Sequence, residues 1–235
     1  MSRKVLAMIT AIAILAMALA LFLLRGERVS LVTSGSAVLF QSWTTLSNRW
    51  SLVDGHDYDG DGMAIYTPPA ALEALSDGVA AGDPSACFGI EDEAAHEVFD
   101  TVFVPDGAAM WSLAYEAWPD AVVIYDESSG WEVALAGSSP VRTLSYSQAL
   151  NSVTEDSMLS QLDGLGADKI IVYSPGKVAG LLRRWDGLVI VDRIYASAFE
   201  SGQDVATVGE DLDAMVSALS SGVRGRAATP YRIDR

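Results

Sequence analysis

Short runs of apolar, largely β-branched residues alternate with helix-like stretches from residue 29 almost to the end of the chain. Examples are VSLVT at 29–33, DAVVIYD at 120–126, DKIIVYS at 168–174 and GLVIVD at 187–192. Strands that are buried on both faces have continuous apolar sequences, and helices placed between strands lead to parallel pairing. The alternation therefore predicts an α/β fold in which parallel sheets are flanked by helices.

A break in this pattern at ESSG, residues 127–130, indicates two lobes. We expect an acidic α/β lobe at 29–127, a second α/β lobe at 128–222 and an irregular, basic tail at 223–235. The carboxyl ends of parallel strands meet at one edge of a sheet, and doubly wound folds bind ligands there. We therefore expect functional residues at strand ends, beside a cleft between the lobes.

The N-terminal region contains twenty residues, 5–24, without a charge or a proline. As a helix this run would be about 30 Å long, the thickness of the hydrocarbon core of a bilayer. A cleaved signal peptide is the alternative, because residues 16–18 and 18–20 both offer small-x-small cleavage sites. A short basic leader without a second apolar span favours a single-pass protein with most of the chain extracytoplasmic. Residues 1–28 are thus predicted to be a membrane anchor or an uncleaved signal.

The net charge of −16 is unevenly distributed along the chain. The 92 residues between Arg49 and Arg142 contain 18 acidic side chains and no lysine or arginine, whereas ten basic residues oppose twelve acidic ones from Arg142 onward. Such a field repels nucleic acid and favours cations or basic partners. A strongly solvated acidic surface explains the same composition, so a cationic ligand remains one of two interpretations.

The sequence HDYDGDG at residues 56–62 resembles part of a calcium-binding loop. Asp57, Asp59 and Asp61 occupy the first, third and fifth ligand positions of an EF-hand-type loop, and Gly62 occupies the sixth. The twelfth position, which normally holds a chelating glutamate, is Pro68. The loop therefore predicts either a calcium site or an unoccupied polar turn.

Motifs of known catalytic sites are missing from the sequence. There is no G-x-S-x-G elbow, no P-loop and no G-x-G-x-x-G stretch after a strand. Cys87, the single cysteine, excludes an intrachain disulfide and is expected to be a buried, inert thiol. We therefore assign no catalytic residue and no cofactor and expect a protein that is not an enzyme, with a hydrolase on the same scaffold as a minor alternative.

Four stretches resemble the periplasmic-binding-like class I superfamily, the two-lobed solute receptors: VSLVTSG at 29–35, DAVVIYD at 120–126, DKIIVYSPGKVAGLL at 168–182 and ATVGEDLDAMVSAL at 206–219. The resemblance extends loosely over residues 29–222. It implies a hinged cleft, a small polar ligand and a transporter permease as a partner. The residues that would line the cleft are at strand ends: Ser34, Ser36, Glu91, Asp92, Asp126, Tyr173, Ser174, Lys177, Asp192 and Arg193.

Two functional predictions follow. The first is a membrane-anchored, extracytoplasmic, non-catalytic protein that binds a small polar solute. The alternative is a structural or interaction domain of the cell envelope without a small-molecule ligand, in which the polar residues at strand ends are ordinary helix caps and turns.

Overall fold

The computed structural model describes residues 29–34, 50–60, 62–77, 84–128, 142–147, 150–173, 177–199 and 202–235. The predicted anchor at residues 1–28 lies outside these ranges. Among the described residues, no helix has both the length and the apolar character needed to cross a bilayer.

The chain divides into two compact units. The first contains the residues up to Val102 together with Gly222–Gly225, and the second contains Phe103–Ser221 together with Arg226–Arg235. The described part of the chain forms two six-stranded sheets, and most residues of each sheet belong to one unit.

Parallel pairing runs through the first sheet from β2 to β4. Its strands are β1 (Val29–Thr33), β2 (Trp50–Asp54), β3 (Met63–Tyr66), β4 (Ser85–Phe88), β5 (Thr101–Val104) and β11 (Gly225–Ala228). Their spatial order is β11-β5-β4-β3-β1-β2. Two helices accompany this sheet, α1 (Pro68–Asp77) and α2 (Ala95–Val98).

In the second sheet five strands pair in parallel, and a sixth pairs antiparallel at one edge. Its strands are β6 (Val122–Asp126), β7 (Arg142–Tyr146), β8 (Lys169–Val172), β9 (Leu188–Asp192), β10 (Val205–Glu210) and β12 (Tyr231–Asp234). The order is β12-β10-β9-β8-β6-β7. The helices are α3 (Gly107–Ala117), α4 (Ser152–Gly164), α5 (Ala179–Arg184) and α6 (Leu212–Ser220), and a 3₁₀ helix spans Arg193–Ala198.

Two separate hydrophobic clusters cover the second sheet. One joins α3, through Trp111, to strand residues such as Val123 and Ile171. The other joins α4 and α5 to the alternate strand residues, for example Ile124 and Val172. Because successive residues of a strand point to opposite faces, both sets are buried. The predicted fold class, parallel α/β sheets flanked by helices, is confirmed in each unit.

Two expected boundaries differ from the structure. The first lobe was expected to end at residue 127, but β6 forms its ladders with β7 and β8 and therefore belongs to the second sheet. The tail at 223–235 was expected to be irregular. It instead supplies β11 beside β5 and β12, which pairs antiparallel with β10. The pairing partner, rather than the local sequence, determines both assignments.

A helix cap and a buried cysteine illustrate the local chemistry of the fold, and the burial of Cys87 confirms the expectation from the sequence. Asp106 caps α3 by accepting a hydrogen bond from the Ala109 amide at 3.0 Å, which satisfies one of the unpaired amides of the first turn. Cys87 is fully buried in β4, and burial raises the pKa of its thiol to about 12. This thiol is therefore protonated at neutral pH and unreactive, as a buried cysteine should be.

Candidate functional site

The parallel strands β6, β8, β9 and β10 end at one edge of the second sheet, called here the carboxyl edge. Four of the predicted site residues lie at or directly beyond these strand ends: Asp126, Tyr173, Asp192 and Arg193. In the ladder, Val172 is aligned with Ile124 on one side and with Val191 on the other. Neighbouring strands are about 4.8 Å apart, so the fold brings the ends of these strands into one row.

Asp126 and Lys177 form an ion pair at this edge. Lys177 Nζ donates a hydrogen bond to Asp126 Oδ2, and the Ser128 amide donates to the other carboxylate oxygen at 3.0 Å. The side chain of Asp126 is 3% exposed, whereas that of Lys177 is 46% exposed. The pair thus has a buried anion and a cation that still reaches solvent, and the fold unites two predicted site residues that are 51 positions apart.

Tyr173 follows β8 and packs against an aromatic residue of α3. The centroids of the Tyr173 and Trp111 rings are 5.1 Å apart, with an angle of 42° between the ring planes. The Tyr173 amide donates to the Ile124 carbonyl at 3.1 Å, which fixes the backbone beside β6. Tyr173 is therefore held in place from two directions while part of its side chain remains exposed.

The side chains of Asp192 and Arg193 form hydrogen bonds within the second unit. Asp192 Oδ1 accepts a hydrogen bond from the Ile194 amide at 3.0 Å and caps the 3₁₀ helix. Arg193, which is 6% exposed, donates to the Glu210 carbonyl at 2.6 Å and to the carboxylate of Asp234. Arg193 thereby links the end of β9 to β10 and β12.

Burial dominates the electrostatics of this cluster. It raises the pKa of Asp192, although the amide of Ile194 and the charge of Arg193 act in the opposite direction. Burial likewise raises the pKa of Glu210, and the neighbouring charge of Asp192 adds to that rise. The pKa of Arg193 is lowered by burial, an effect that the Asp234 carboxylate partly offsets. Both carboxyl groups therefore favour their neutral form more than they would in water.

Glu210 and Asp234 belong to this cluster but were not among the predicted site residues. Glu210 is the last residue of β10, so the strand-end rule applies to it as well. No local signal identifies Asp234, because its partner lies 41 residues away. A Cβ atom placed on Gly209 would be 2.8 Å from the Cβ atom of Arg193. The absence of a side chain at Gly209 is what lets Arg193 approach β10 this closely.

In the first unit, Ser34 follows β1 and donates a hydrogen bond from Oγ to Glu73 Oε1 on α1. This bond connects the end of a strand to a helix and explains the polar character of Ser34 without a ligand. Two further predicted site residues, Ser36 and Ser174, lie outside the described residues.

Glu91 and Asp92 are exposed residues that follow β4. Asp92 Oδ1 accepts a hydrogen bond from the Ala94 amide at 2.9 Å, which stabilises the turn before α2. The structure therefore gives Asp92 a local structural role, and it places Glu91 beside that turn.

The aspartate-rich loop is only partly described. Asp57 and Asp59 are exposed, and Asp61 lies outside the described residues. Gly60 and Gly62 have φ values of 82° and 80°, the left-handed conformation that glycine adopts without strain. The described residues contain no group of three histidine, cysteine, aspartate or glutamate side chains placed to hold a metal ion. Because Asp61 lies outside the described residues, the calcium hypothesis stays a prediction.

Sequence comparison identifies no relative of this chain: no family model matches it, and no curated protein does. Its fold does match solved structures. An ABC transporter solute-binding protein from Conexibacter woesei matches with a TM-score of 0.53 and 11% sequence identity, over 89% of this chain and 88% of that one. This match shows that the two proteins share a fold.

Two other matches have lower TM-scores. An ABC transporter solute-binding protein from Agrobacterium vitis with bound D-fucose covers 89% of this chain and 95% of its own, at 12% identity and a TM-score of 0.40. A glucose-galactose binding protein from Geobacillus stearothermophilus covers 89% and 98%, at 12% identity and a TM-score of 0.39. The expected likeness to periplasmic-binding-like class I proteins is confirmed at the level of the fold by the Conexibacter woesei match.

Proposed function

We propose that this protein is a non-catalytic receptor for a small polar solute, which it binds at the carboxyl edge of the second sheet. The observation that carries the proposal is the ion pair of Asp126 and Lys177 at the end of β6. It lies in the same row of strand ends as Tyr173, so a fixed anion, a solvent-accessible cation and an aromatic ring share one edge. A few fixed polar groups beside aromatic surface are typical of small-molecule sites.

The chemistry of this edge supports binding rather than catalysis. Asp126 is engaged by Lys177 and by the Ser128 amide, and Asp192 by the Ile194 amide. A carboxylate that is held by such donors is a fixed hydrogen-bond acceptor, whereas a nucleophile or a general base needs a reactive partner within reach. The solute we propose therefore exchanges hydrogen bonds with Lys177 and contacts the exposed part of Tyr173.

Membrane attachment is part of the proposal. Residues 5–24 would anchor the protein as a single span, with both α/β units outside the cytoplasm. A tethered receptor on that side would deliver its solute to a transporter permease in the same membrane. The uncharged apolar run at 5–24 supports this arrangement.

A structural domain of the cell envelope is the second candidate, and one specific observation favours it. Several predicted site residues already have hydrogen-bond partners within the protein: Ser34 bonds Glu73, Asp92 bonds the Ala94 amide, and Arg193 bonds Asp234. Polar residues that are satisfied in this way need no ligand.

Thermal unfolding of the full-length protein in detergent separates the two candidates. We expect one class among millimolar amino acids, nucleosides and sugars to raise the midpoint in a saturable way, because a ligand at about 100 times its Kd stabilises by about 2.7 kcal/mol. Lys177→Met should abolish that rise. No saturable rise with any class would favour the envelope domain.

A matched control is available at the opposite end of β8. Lys169 pairs with Asp120 at 2.5 Å, so Lys169→Met also removes a lysine–aspartate pair from the second unit, but far along the strand from the carboxyl edge. The ligand-induced rise should persist in this variant. An equal loss of the rise in both variants would contradict the assignment of the binding site to the carboxyl edge.

A further inference from the structure

Seven aspartates of this chain are followed directly by a glycine, a pair that is prone to a spontaneous change of the backbone. In that reaction the main-chain nitrogen of the glycine attacks the side-chain carboxyl carbon of the aspartate. Glycine hinders the attack least, because it has no side chain and the greatest backbone freedom. The structure describes five of these pairs in full, and their aspartates are Asp54, Asp59, Asp106, Asp163 and Asp186.

The first pair, Asp54 and Gly55, is held by the first sheet. The Gly55 amide donates a hydrogen bond to the Thr33 carbonyl at 2.8 Å. One oxygen of the Asp54 carboxylate accepts from the His56 amide at 3.1 Å. Both reacting groups of this pair therefore have partners that must be released before they react.

Two further pairs are restrained by helices. Asp106 caps α3, and its carboxylate accepts from the Ala109 amide at 3.0 Å. Asp163 and Gly164 are the last two residues of α4, where the amide of a residue is donated to the carbonyl four positions earlier. In the first case the carboxylate is engaged, and in the second the amide is engaged.

Close packing restrains the pair of Asp186 and Gly187. A Cβ atom placed on Gly187 would be 2.5 Å from the Asp168 carbonyl oxygen and 2.7 Å from Nε1 of Trp185. The backbone at Gly187 is thus enclosed by a neighbouring strand end and a buried ring. Such a backbone has little room for the change of conformation that ring closure needs.

Asp59 and Gly60 differ from the other four pairs. Asp59 is exposed, and the Gly60 amide donates no hydrogen bond within the described part of the chain. A Cβ atom placed on Gly60 would have no atom within 4 Å, so open space surrounds this glycine. Neither secondary structure nor packing restrains the main-chain nitrogen here.

We propose that Asp59 is a modification site, at which the native protein converts aspartate to isoaspartate faster than at the other four pairs. A bond forms between the Gly60 nitrogen and Cγ of Asp59, and a water molecule leaves with the amide hydrogen and the carboxyl hydroxyl. Water then adds to the main-chain carbonyl of the resulting succinimide and breaks its bond to nitrogen. The reaction needs no cofactor and no oxidant, and it is independent of the proposed solute.

The product alters the aspartate-rich loop. Isoaspartate lengthens the main chain by one methylene and turns the former main-chain carbonyl into a free carboxylate. Two contacts span the change, because the Tyr58 hydroxyl donates to the Gly62 carbonyl at 3.0 Å and the Tyr58 ring packs edge-on against Tyr66. The longer chain between residues 58 and 62 displaces this bond, so the loop of an aged molecule differs from that of a new one.

The test is incubation of the full-length protein in detergent at neutral pH for several weeks, followed by mass spectrometry with electron-transfer fragmentation, which distinguishes isoaspartate from aspartate. Chymotrypsin is the suitable protease, because trypsin has no site between Arg49 and Arg142. Isoaspartate at residue 59 should form at least about fivefold faster than at the other four positions, each of which must first release a contact of about 1 kcal/mol. Equal rates at the five positions, or a higher rate at one of the other four, would overturn the proposal.

The same incubation in urea is the matched control. Unfolding removes the contacts that restrain Gly55, Asp106, Gly164 and Gly187, so the five rates should become similar. A preference for Asp59 that persists in urea would show that the local sequence, and not the fold, determines the site. Asp59→Glu keeps the charge but needs a six-membered ring for the same attack, so this variant should form no isomer at residue 59. An isomer signal of unchanged size in that variant would contradict the assignment to Asp59.

Discussion

Asp192 and Glu210 have carboxyl groups at the ends of neighbouring strands. The pKa of each group is shifted in the same direction and for the same main reason. Burial is the main cause that raises the pKa of each, and their mutual repulsion adds to the rise for Glu210. The folded protein consequently holds these protons more tightly than the unfolded chain does. The contribution of these groups to stability is therefore largest at low pH and falls as the pH rises through their folded-state pKa values.

We predict that Asp192→Asn combined with Glu210→Gln raises the unfolding midpoint at pH 7, because the amides keep the shape of the side chains and carry no charge to desolvate. The gain in the unfolding midpoint should shrink as the pH falls towards 3.8 and 4.5, the ordinary pKa values of aspartate and glutamate. At such pH values the carboxyl groups of the native protein are neutral as well. Thermal unfolding between pH 4 and pH 7 measures this difference. Asp163→Asn, at an exposed position of α4, is the control, and a midpoint gain of equal size there would refute the argument.

At the scale of elements, β12 illustrates how strongly the last residues of the chain are held. It pairs antiparallel with β10, from Thr207 opposite Asp234 to Glu210 opposite Tyr231. The Tyr231 hydroxyl accepts a hydrogen bond from the Asp106 amide at 2.7 Å, directly before α3. A segment that the sequence suggested was a basic tail is thus a structural part of the second sheet.

We predict that deletion of residues 231–235 destabilises the protein by at least about 2 kcal/mol, because it leaves the buried Arg193 without the Asp234 carboxylate and uncovers β10. For a chain of this size the midpoint should fall by about 4–8 °C. Removal of Arg235 alone is the control: its side chain is 61% exposed and bonds only the exposed Asp204 at 2.9 Å in the described structure, so little change is expected. Equal losses from the two deletions would argue against a structural role for β12.

At the scale of the whole molecule, the charge distribution is the dominant feature. Residues 50–141 contain 18 acidic side chains and no lysine or arginine, in a chain of net charge −16. Repulsion among such charges weakens as salt shortens the Debye length from about 30 Å at 0.01 M to about 8 Å at 0.15 M. The folded state, in which the charges are closest together, benefits most from this screening.

We predict that the unfolding midpoint rises with sodium chloride across this range and then levels off. Calcium chloride at equal ionic strength tests the aspartate loop in the same experiment. A further rise with calcium that a chelator reverses and that Asp57→Asn removes would support a calcium site, whereas identical curves for the two salts would leave the loop as a polar turn. A midpoint that is insensitive to sodium chloride would contradict the role of charge repulsion.

The sequence by itself determined the fold class and many of the element positions. The span of β1 was predicted to the residue, and the predicted apolar runs at 168–174 and 187–192 contain all of β8 and β9. These features are local, because a strand that is buried on both faces must be apolar throughout. The strand-end rule also predicted Asp192 and Arg193 at the end of a strand of the second lobe, whereas Asp126, which was predicted in the first lobe, lies at the same edge only because β6 pairs with β8.

Only the tertiary structure decided which strand belongs to which sheet and which polar groups meet. In the structure β6 belongs to the second sheet, and the C-terminal residues form β12. The partners of Asp126 and Arg193 are Lys177 and Asp234, respectively. Each of these outcomes depends on contacts between residues far apart in the chain. The hydrophobic pattern of a sequence indicates whether a residue is buried. The pattern does not indicate which distant residue will pack beside that residue.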